Sequence, residues 1–384
     1  MKKQLLILVL ASNPFFSWTH SFAGLSRTTD TVVVLNRPQT PKPPFPYNIE
    51  NLEYDNAASG IHYSGTITYP KSGGPFPAAI LITGSGPQDR DESLFGHKPF
   101  AVIADYLTRR GYAILRVDDR GIGKSTGDVL RATSKDFAED VETGVKELRS
   151  RKDIDKKKIG LIGHSEGGLI AAITASGDPG INFIVMLAGT GLKGSDVLAL
   201  QNKAVALSHG EREEMAEATK GLNKLLYHAV LFSNERSLQS EEAWKTFLSW
   251  KKNTNPVTVT LMGCGDEASA RKFLEAQLDQ LNNPWIIYFL KTDPADFIVK
   301  LHCKVFALNG SKDIQVLPDQ NLAAIDSALK KSSVKIYSTE KLPGLNHLFQ
   351  QCKTCTAEEY GKLEETFAPE ALATMGDWLD KNVK

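Results

Sequence analysis

Apolar runs without internal alternation at 78–83, 112–117, 158–162 and 182–188 are separated by stretches of helical period at 98–110, 134–151 and 166–176. A strand apolar on both faces must be covered on both faces, and an intervening helix returns the chain so that successive strands run parallel. The rhythm predicts an α/β architecture, a mostly parallel central sheet flanked by helices. Two strands that precede it, Ile49 to Tyr54 and Ile61 to Tyr69, read as an antiparallel pair joined through Asn56-Ala57-Ala58-Ser59-Gly60.

The alternation stops near Gly191. Residues 193–300 carry helical signals, many charges and the aromatics Trp244, Trp250 and Trp285, and strand–helix alternation resumes at 303–308, 318–331, 334–338 and 369–383. A helical block between two strands of one sheet reads as an inserted cap or lid. The expected organisation is a core first part at 49–192, a helical cap at 193–300 and a core second part at 301–384. Ahead of these, 24–48 is a proline-rich arm, with five prolines between Asn36 and Tyr47 that forbid a helix or central strand.

Residues 1–23 read as an address. Lys2 and Lys3 precede the apolar run Leu5 to Ala11, and Ser21-Phe22-Ala23 offers a small-x-small cleavage site, the pattern of a secretory signal peptide. The run breaks at Ser12-Asn13-Pro14, short of the ~20 residues that span a bilayer. Export to a bacterial periplasm or the extracellular space is expected, with cleavage after Ala23 and no integral membrane segment in the mature chain. With Lys+Arg 45 and Asp+Glu 45 the formal charge is zero, so the composition carries no basic footprint for nucleic acid.

Export makes disulfides admissible for Cys264, Cys303, Cys352 and Cys355. Cys352-x-x-Cys355 can close a small loop, leaving Cys264 to pair with Cys303; free thiols are the alternative. A zinc reading lacks a second ligand pair at the usual spacing, so no metal is expected.

The sharpest chemical signal is Gly163-His164-Ser165-Glu166-Gly167, directly after the strand at 158–162 and directly before a helix. This is G-x-S-x-G in the strand–turn–helix setting of a nucleophile elbow, which exposes the serine hydroxyl at a helix N-terminus. A serine hydroxyl needs a base, itself oriented by an acid, and in this architecture the acid precedes the histidine in the chain. Asp313, after the strand at 303–308, and His347, after the strand at 334–338, fit those roles, with Asp319 and Glu340 as rivals for the acid. His164 reads as a structural neighbour of the nucleophile. The Glu166 amide and an amide of the loop Thr83-Gly84-Ser85-Gly86-Pro87 are the expected oxyanion donors, with Ser85 preferred over Gly84 and Gly86. That loop lacks the third glycine of a dinucleotide site. Gly121-Ile122-Gly123-Lys124-Ser125 lacks the first glycine of a P-loop, Asp118 standing there, and reads as a structural loop.

Together, Gly84-Ser85-Gly86-Pro87-Gln88-Asp89-Arg90-Asp91, Asp119-Arg120-Gly121-Ile122-Gly123-Lys124-Ser125, Gly163-His164-Ser165-Glu166-Gly167-Gly168 and Asn346-His347-Leu348-Phe349-Gln350 resemble the α/β-hydrolase superfamily. Within it, the chain resembles exported bacterial serine esterases related to the prolyl oligopeptidase branch. The resemblance implies the α/β-hydrolase fold, with Ser165 as nucleophile, Asp313 as acid and His347 as base. It also implies acyl transfer from a small ester without cofactor. Thr83 departs from the commonest esterase pattern, which has a histidine there. A peptidase or amidase acting on small peptides is the alternative function, and a catalytically silent binding protein is the reading from outside enzymology.

Overall fold

The structure, a computed structural model, describes residues 36–384. The signal peptide and cleavage site expected at 1–23 lie outside the described residues, as does the first part of the arm.

Among the described residues eight strands form one sheet: β1 (Tyr47–Asn56), β2 (Ile61–Pro70), β3 (Phe76–Ile82), β4 (Ala113–Val117), β5 (Ile154–His164), β6 (Phe183–Leu187), β7 (Lys304–Gly310) and β8 (Tyr337–Leu342). Their spatial order is β1-β2-β4-β3-β5-β6-β7-β8. The β1–β2 and β2–β4 pairings are antiparallel, and every later pairing is parallel. The crossovers are made by α1 (Pro99–Arg109), α2 (Ser134–Ser150) and α3 (Glu166–Gly177).

The unbroken apolar runs follow from burial on both faces. In β3, Ala78, Ile80 and Ile82 point into one core with residues of α2 and α3, whereas Ala79 and Leu81 point into the other with residues of α1. Phe183, Val185 and Leu187 alternate in the same way with Ile184 and Met186 in β6. Helix α2 starts at a capping box in which Thr133 and Asp136 exchange side-chain and backbone hydrogen bonds. It buries Ala138, Val141, Val145 and Leu148, a helical-period stripe, against the sheet.

Between β6 and β7 stand α4 (Gly194–Ser208), α5 (Glu213–Phe232), α6 (Arg236–Lys252), α7 (Pro256–Leu261), α8 (Glu267–Leu281), α9 (Pro284–Lys291) and α10 (Ala295–Ile298). They enclose a core of their own around Leu222, Leu226, Phe247, Leu274 and Leu278. Trp244 and Trp250 flank Phe247 of the same helix at 5.5 and 5.6 Å, and both pack against the core of the insertion. Trp285 points elsewhere, toward the site.

After β7 come α11 (Pro318–Leu329), β8, α12 (Ala357–Tyr360) and α13 (Pro369–Asn382). The last strand corrects the expectation of 334–338: its ladder begins with Tyr337 opposite Val305 and runs to Leu342. Val334 is buried, but in the core before the strand, while β8 is a half-exposed edge whose polar run hides its register. The arm is tied to the far end of the chain. Arg37 donates to the carbonyls of Leu363 and Gly361 at 2.6 and 2.7 Å, and Gln39 to that of Phe367 at 2.6 Å.

Cys352 and Cys355 form a disulfide, and Cys264 and Cys303 are free and buried. The Cys264–Cys303 pairing fails because the two lie in different cores, Cys264 inside the helical insertion and Cys303 at the foot of β7.

Candidate active site

Ser165 joins the end of β5 to the start of α3 with φ 55° and ψ −119°. A serine held there stores on the order of 1–3 kcal/mol of backbone strain. Its N–H donates to the Leu187 carbonyl at 2.8 Å, and its carbonyl accepts from Gly168 at 3.0 Å. The flanking glycines are required by close approach: a Cβ on Gly163 would collide with the Gly167 carbonyl, and one on Gly167 with the Ile82 carbonyl. The turn therefore packs against β3 only with glycine on both sides.

His347 is carried on the loop after β8. Its Nδ1 lies 2.8 Å from Asp313 Oδ2, and both side chains are almost fully buried. Asp313 Oδ1 accepts the backbone N–H groups of Gln315 and Val316 at 2.8 and 2.9 Å. With Nδ1–H donated to that carboxylate, Nε2 keeps the lone pair. Asn346 braces the loop, its side-chain oxygen accepting from the amides of Leu348 and Gln350 at 3.0 Å each. Ser165 and His347 line one cavity with no hydrogen bond between them; contacts of this kind commonly close only when substrate binds. The rival acids lie apart from the site: Asp319 pairs with Lys341 on the surface, and Glu340 is exposed.

Ser85 and Glu166 line the same cavity. As the first residue of α3, Glu166 has an amide without an intrahelical partner. In the loop after β3, the Gly84 N–H is occupied, donating to Glu92 Oε1 at 2.8 Å. The Ser85 and Gly86 amides have no hydrogen-bond partner among the described residues, so the choice of second donor narrows to these two.

The Glu166 carboxylate joins three elements. It accepts from Ser85 Oγ at 2.7 Å, from Ser134 Oγ at the start of α2 at 2.5 Å, and from Trp285 Nε1 of the insertion at 2.8 Å. Burial pushes this carboxyl above its ordinary range, against the pull of those donors. Val197, Leu198, Trp285 and Phe289 of the insertion form an apolar wall of the cavity.

Asp118 and Asp119 hold the loop after β3. Asp119 accepts from Thr83 Oγ1 at 2.8 Å and from the Gln88 amide at 2.9 Å, and burial raises its carboxyl well above the ordinary range. Asp118 pairs with Arg90 at 2.6 Å. His164 is buried beneath the elbow, its two ring nitrogens facing Glu92 and the His347 carbonyl. Sequence reasoning missed Glu92 and the partner of Trp285. Glu92 sits in an acid-rich loop that reads as surface, and Trp285 meets Glu166 across 119 residues. No local pattern carries either contact.

The family model described as serine aminopeptidase, S33, matches residues 98–235, which include the elbow but neither Asp313 nor His347. Esterase EstD of Thermotoga maritima is 36% identical over 118 residues, which cover 31% of this chain and 28% of that protein. The matched part is thus a little over a quarter of that relative's length. Among solved structures, the α/β hydrolase GrgF from Penicillium sp. sh18 superposes with a TM-score of 0.51 at 16% identity, over 88% of this chain and 99% of that one. The Pyrococcus horikoshii acylaminoacyl peptidase does so with a TM-score of 0.51 at 14% identity, over 88% and 42%. Likeness at such identities is likeness of fold, and it agrees with the strand order, the elbow between β5 and α3, and the loops that follow β7 and β8. The chain has the fold of the α/β hydrolases.

Proposed function

We propose that this protein is a serine hydrolase that cleaves carboxylic esters through an acyl-enzyme. His347 Nε2 takes the Ser165 proton as the hydroxyl oxygen attacks the ester carbonyl, and Asp313 holds the ring tautomer and stabilises the imidazolium. The Glu166 amide and the Ser85 amide hold the oxyanion, each donor of this type contributing roughly 3 kcal/mol to the barrier. The alcohol leaves with the proton from His347, and water then repeats the sequence on the acyl-enzyme. The observation that carries this reading is the 2.8 Å His347–Asp313 contact beside a cavity shared with the strained Ser165. The relative named an esterase supports the choice of ester.

A second reading, peptidase or amidase, is favoured by the description of the family matched over 98–235. Turnover of p-nitrophenyl esters from acetate to palmitate, set against p-nitroanilides of small peptides, separates the two. Serine-dependent ester hydrolysis outpacing amide hydrolysis is expected, and the reverse order would favour the peptidase.

The reading includes export. A disulfide at Cys352–Cys355 suits an oxidising compartment. The mature protein from a periplasmic or extracellular fraction should begin at Gly24 by N-terminal sequencing, and retention of residues 1–23 would contradict export by this signal.

A further inference from the structure

Glu92 and His164 are buried ionisable side chains beside the site that the acyl-transfer scheme does not use. Glu92, on the loop after β3, adopts φ 51°, in the left-handed region that non-glycine residues avoid. Its Oε1 accepts the Gly84 N–H at 2.8 Å and lies 3.0 Å from His164 Nδ1. On the other side of the ring, His164 Nε2 lies 3.0 Å from the main-chain carbonyl of His347, and the two imidazoles sit 4.9 Å apart.

Proton counting constrains this arrangement. A carbonyl oxygen only accepts, so Nε2 carries a hydrogen; an ionised carboxylate also only accepts, so Nδ1 carries one as well. The same oxygen already accepts the Gly84 N–H, so it faces the ring as an acceptor. A ring protonated on both nitrogens is a cation, and Glu92 is its counter-ion.

Resting on the serine-hydrolase reading, we propose that Glu92 and His164 are positioning residues, an imidazolium–carboxylate pair that fixes the Gly84 amide on one side and the His347 carbonyl on the other. The pair links the three loops that must agree in position: the oxyanion loop, the elbow that carries His164 next to Ser165, and the loop of the general base. Its electrostatics also matter, because His347 becomes cationic during the reaction 4.9 Å from the His164 ring, and Glu92 balances the His164 charge. The ionisable groups facing His164 are Glu92, His347 and Asp313, with Asp119 behind Glu92. Burial pulls His164 down, and Glu92 together with the His347 carbonyl outweighs it, leaving the ring above the ordinary histidine range.

The test is nitrogen–proton correlation spectroscopy of protein labelled in its histidine rings, with His164→Gln identifying the signal, alongside ester kinetics of Glu92→Gln. At about pH 7.5, where an ordinary histidine is mostly neutral, the His164 ring should be protonated on both nitrogens in the wild-type protein and on one nitrogen in Glu92→Gln. Glu92→Gln, which offers either an oxygen or an NH2 where Oε1 now meets both Gly84 and His164, loses one of the two contacts and should lower kcat ~10²-fold with KM within about two-fold, as misplacement of reacting groups does. A His164 ring protonated on only one nitrogen in the wild-type protein at neutral pH, or a wild-type kcat in Glu92→Gln, would overturn the proposal. Lack of Ser165-dependent turnover in the wild-type protein would instead contradict the hydrolase reading; the ring signal reports on the pair whatever the turnover.

Discussion

Trp285 Nε1 donates to the carboxylate of Glu166 at 2.8 Å, so the helical insertion is hydrogen-bonded to the residue that follows Ser165. The same carboxylate holds Ser85 at 2.7 Å, so one buried side chain ties the insertion to the loop after β3. In Trp285→Phe the ring stays apolar but the donor is lost. A hydrogen bond to a buried charge contributes roughly 1.5–3 kcal/mol. Urea denaturation should therefore show a loss of about 2 kcal/mol in Trp285→Phe, and ester turnover should fall as Ser85 loosens. Unchanged stability and turnover would mean that the contact has no role.

Glu166 should also make stability depend on pH. Its folded-state pKa lies above the ordinary 4.5 because burial disfavours the charge. An acid raised in this way adds stability that is fully present below its unfolded value and is lost as pH rises through the folded one. Glu166→Gln removes that term. The stability difference between Glu166→Gln and wild type should shift in favour of the variant as pH rises above ~4.5. Parallel pH curves for the two proteins would contradict the buried-carboxyl account.

Asp313→Asn should keep the fold while freeing the His347 tautomer. The expected result is a fall of ~10⁴-fold in kcat with little change in KM, measured on a short-chain p-nitrophenyl ester. A loss under about ten-fold would show that Asp313 does not orient the base.

Thiol counting checks the cysteine assignment. Burial pushes the Cys264 thiol up to about 11 and the Cys303 thiol up to about 12, and both side chains are enclosed. The native, unreduced protein should react slowly with a disulfide reagent, because a thiol needs its thiolate to attack. Denatured without reductant, it should expose the Cys264 and Cys303 thiols alone; reduction should add those of Cys352 and Cys355. Four thiols in the unreduced denatured chain would remove the disulfide beside the His347 loop.

The parts of this site legible in the sequence were those written locally. The elbow could be read because an apolar strand, two glycines and a helix surround Ser165 within a few residues. Asp313 and His347 were placed on loops leaving two strands, the buried β7 and the half-exposed edge β8, at the end where open α/β sheets gather their sites. Glu92 could not, because Asp89, Arg90 and Asp91 beside it have the look of a solvated turn, and only the fold turns that loop inward. Trp285 resembles the packing tryptophans Trp244 and Trp250 until the insertion is docked on α3. The edge strand β8 was displaced because Tyr337 to Leu342 is polar and half exposed, whereas the buried Val334 that suggested a strand packs ahead of it.

The most direct test of the central claim is the mass of the intact protein after treatment with a fluorophosphonate, run beside Ser165→Ala and followed by peptide mapping. The account predicts one adduct, on Ser165, that abolishes ester turnover, and no adduct in Ser165→Ala. An unlabelled wild-type protein that is folded and inactive on esters and amides, or an adduct on another residue, would contradict it.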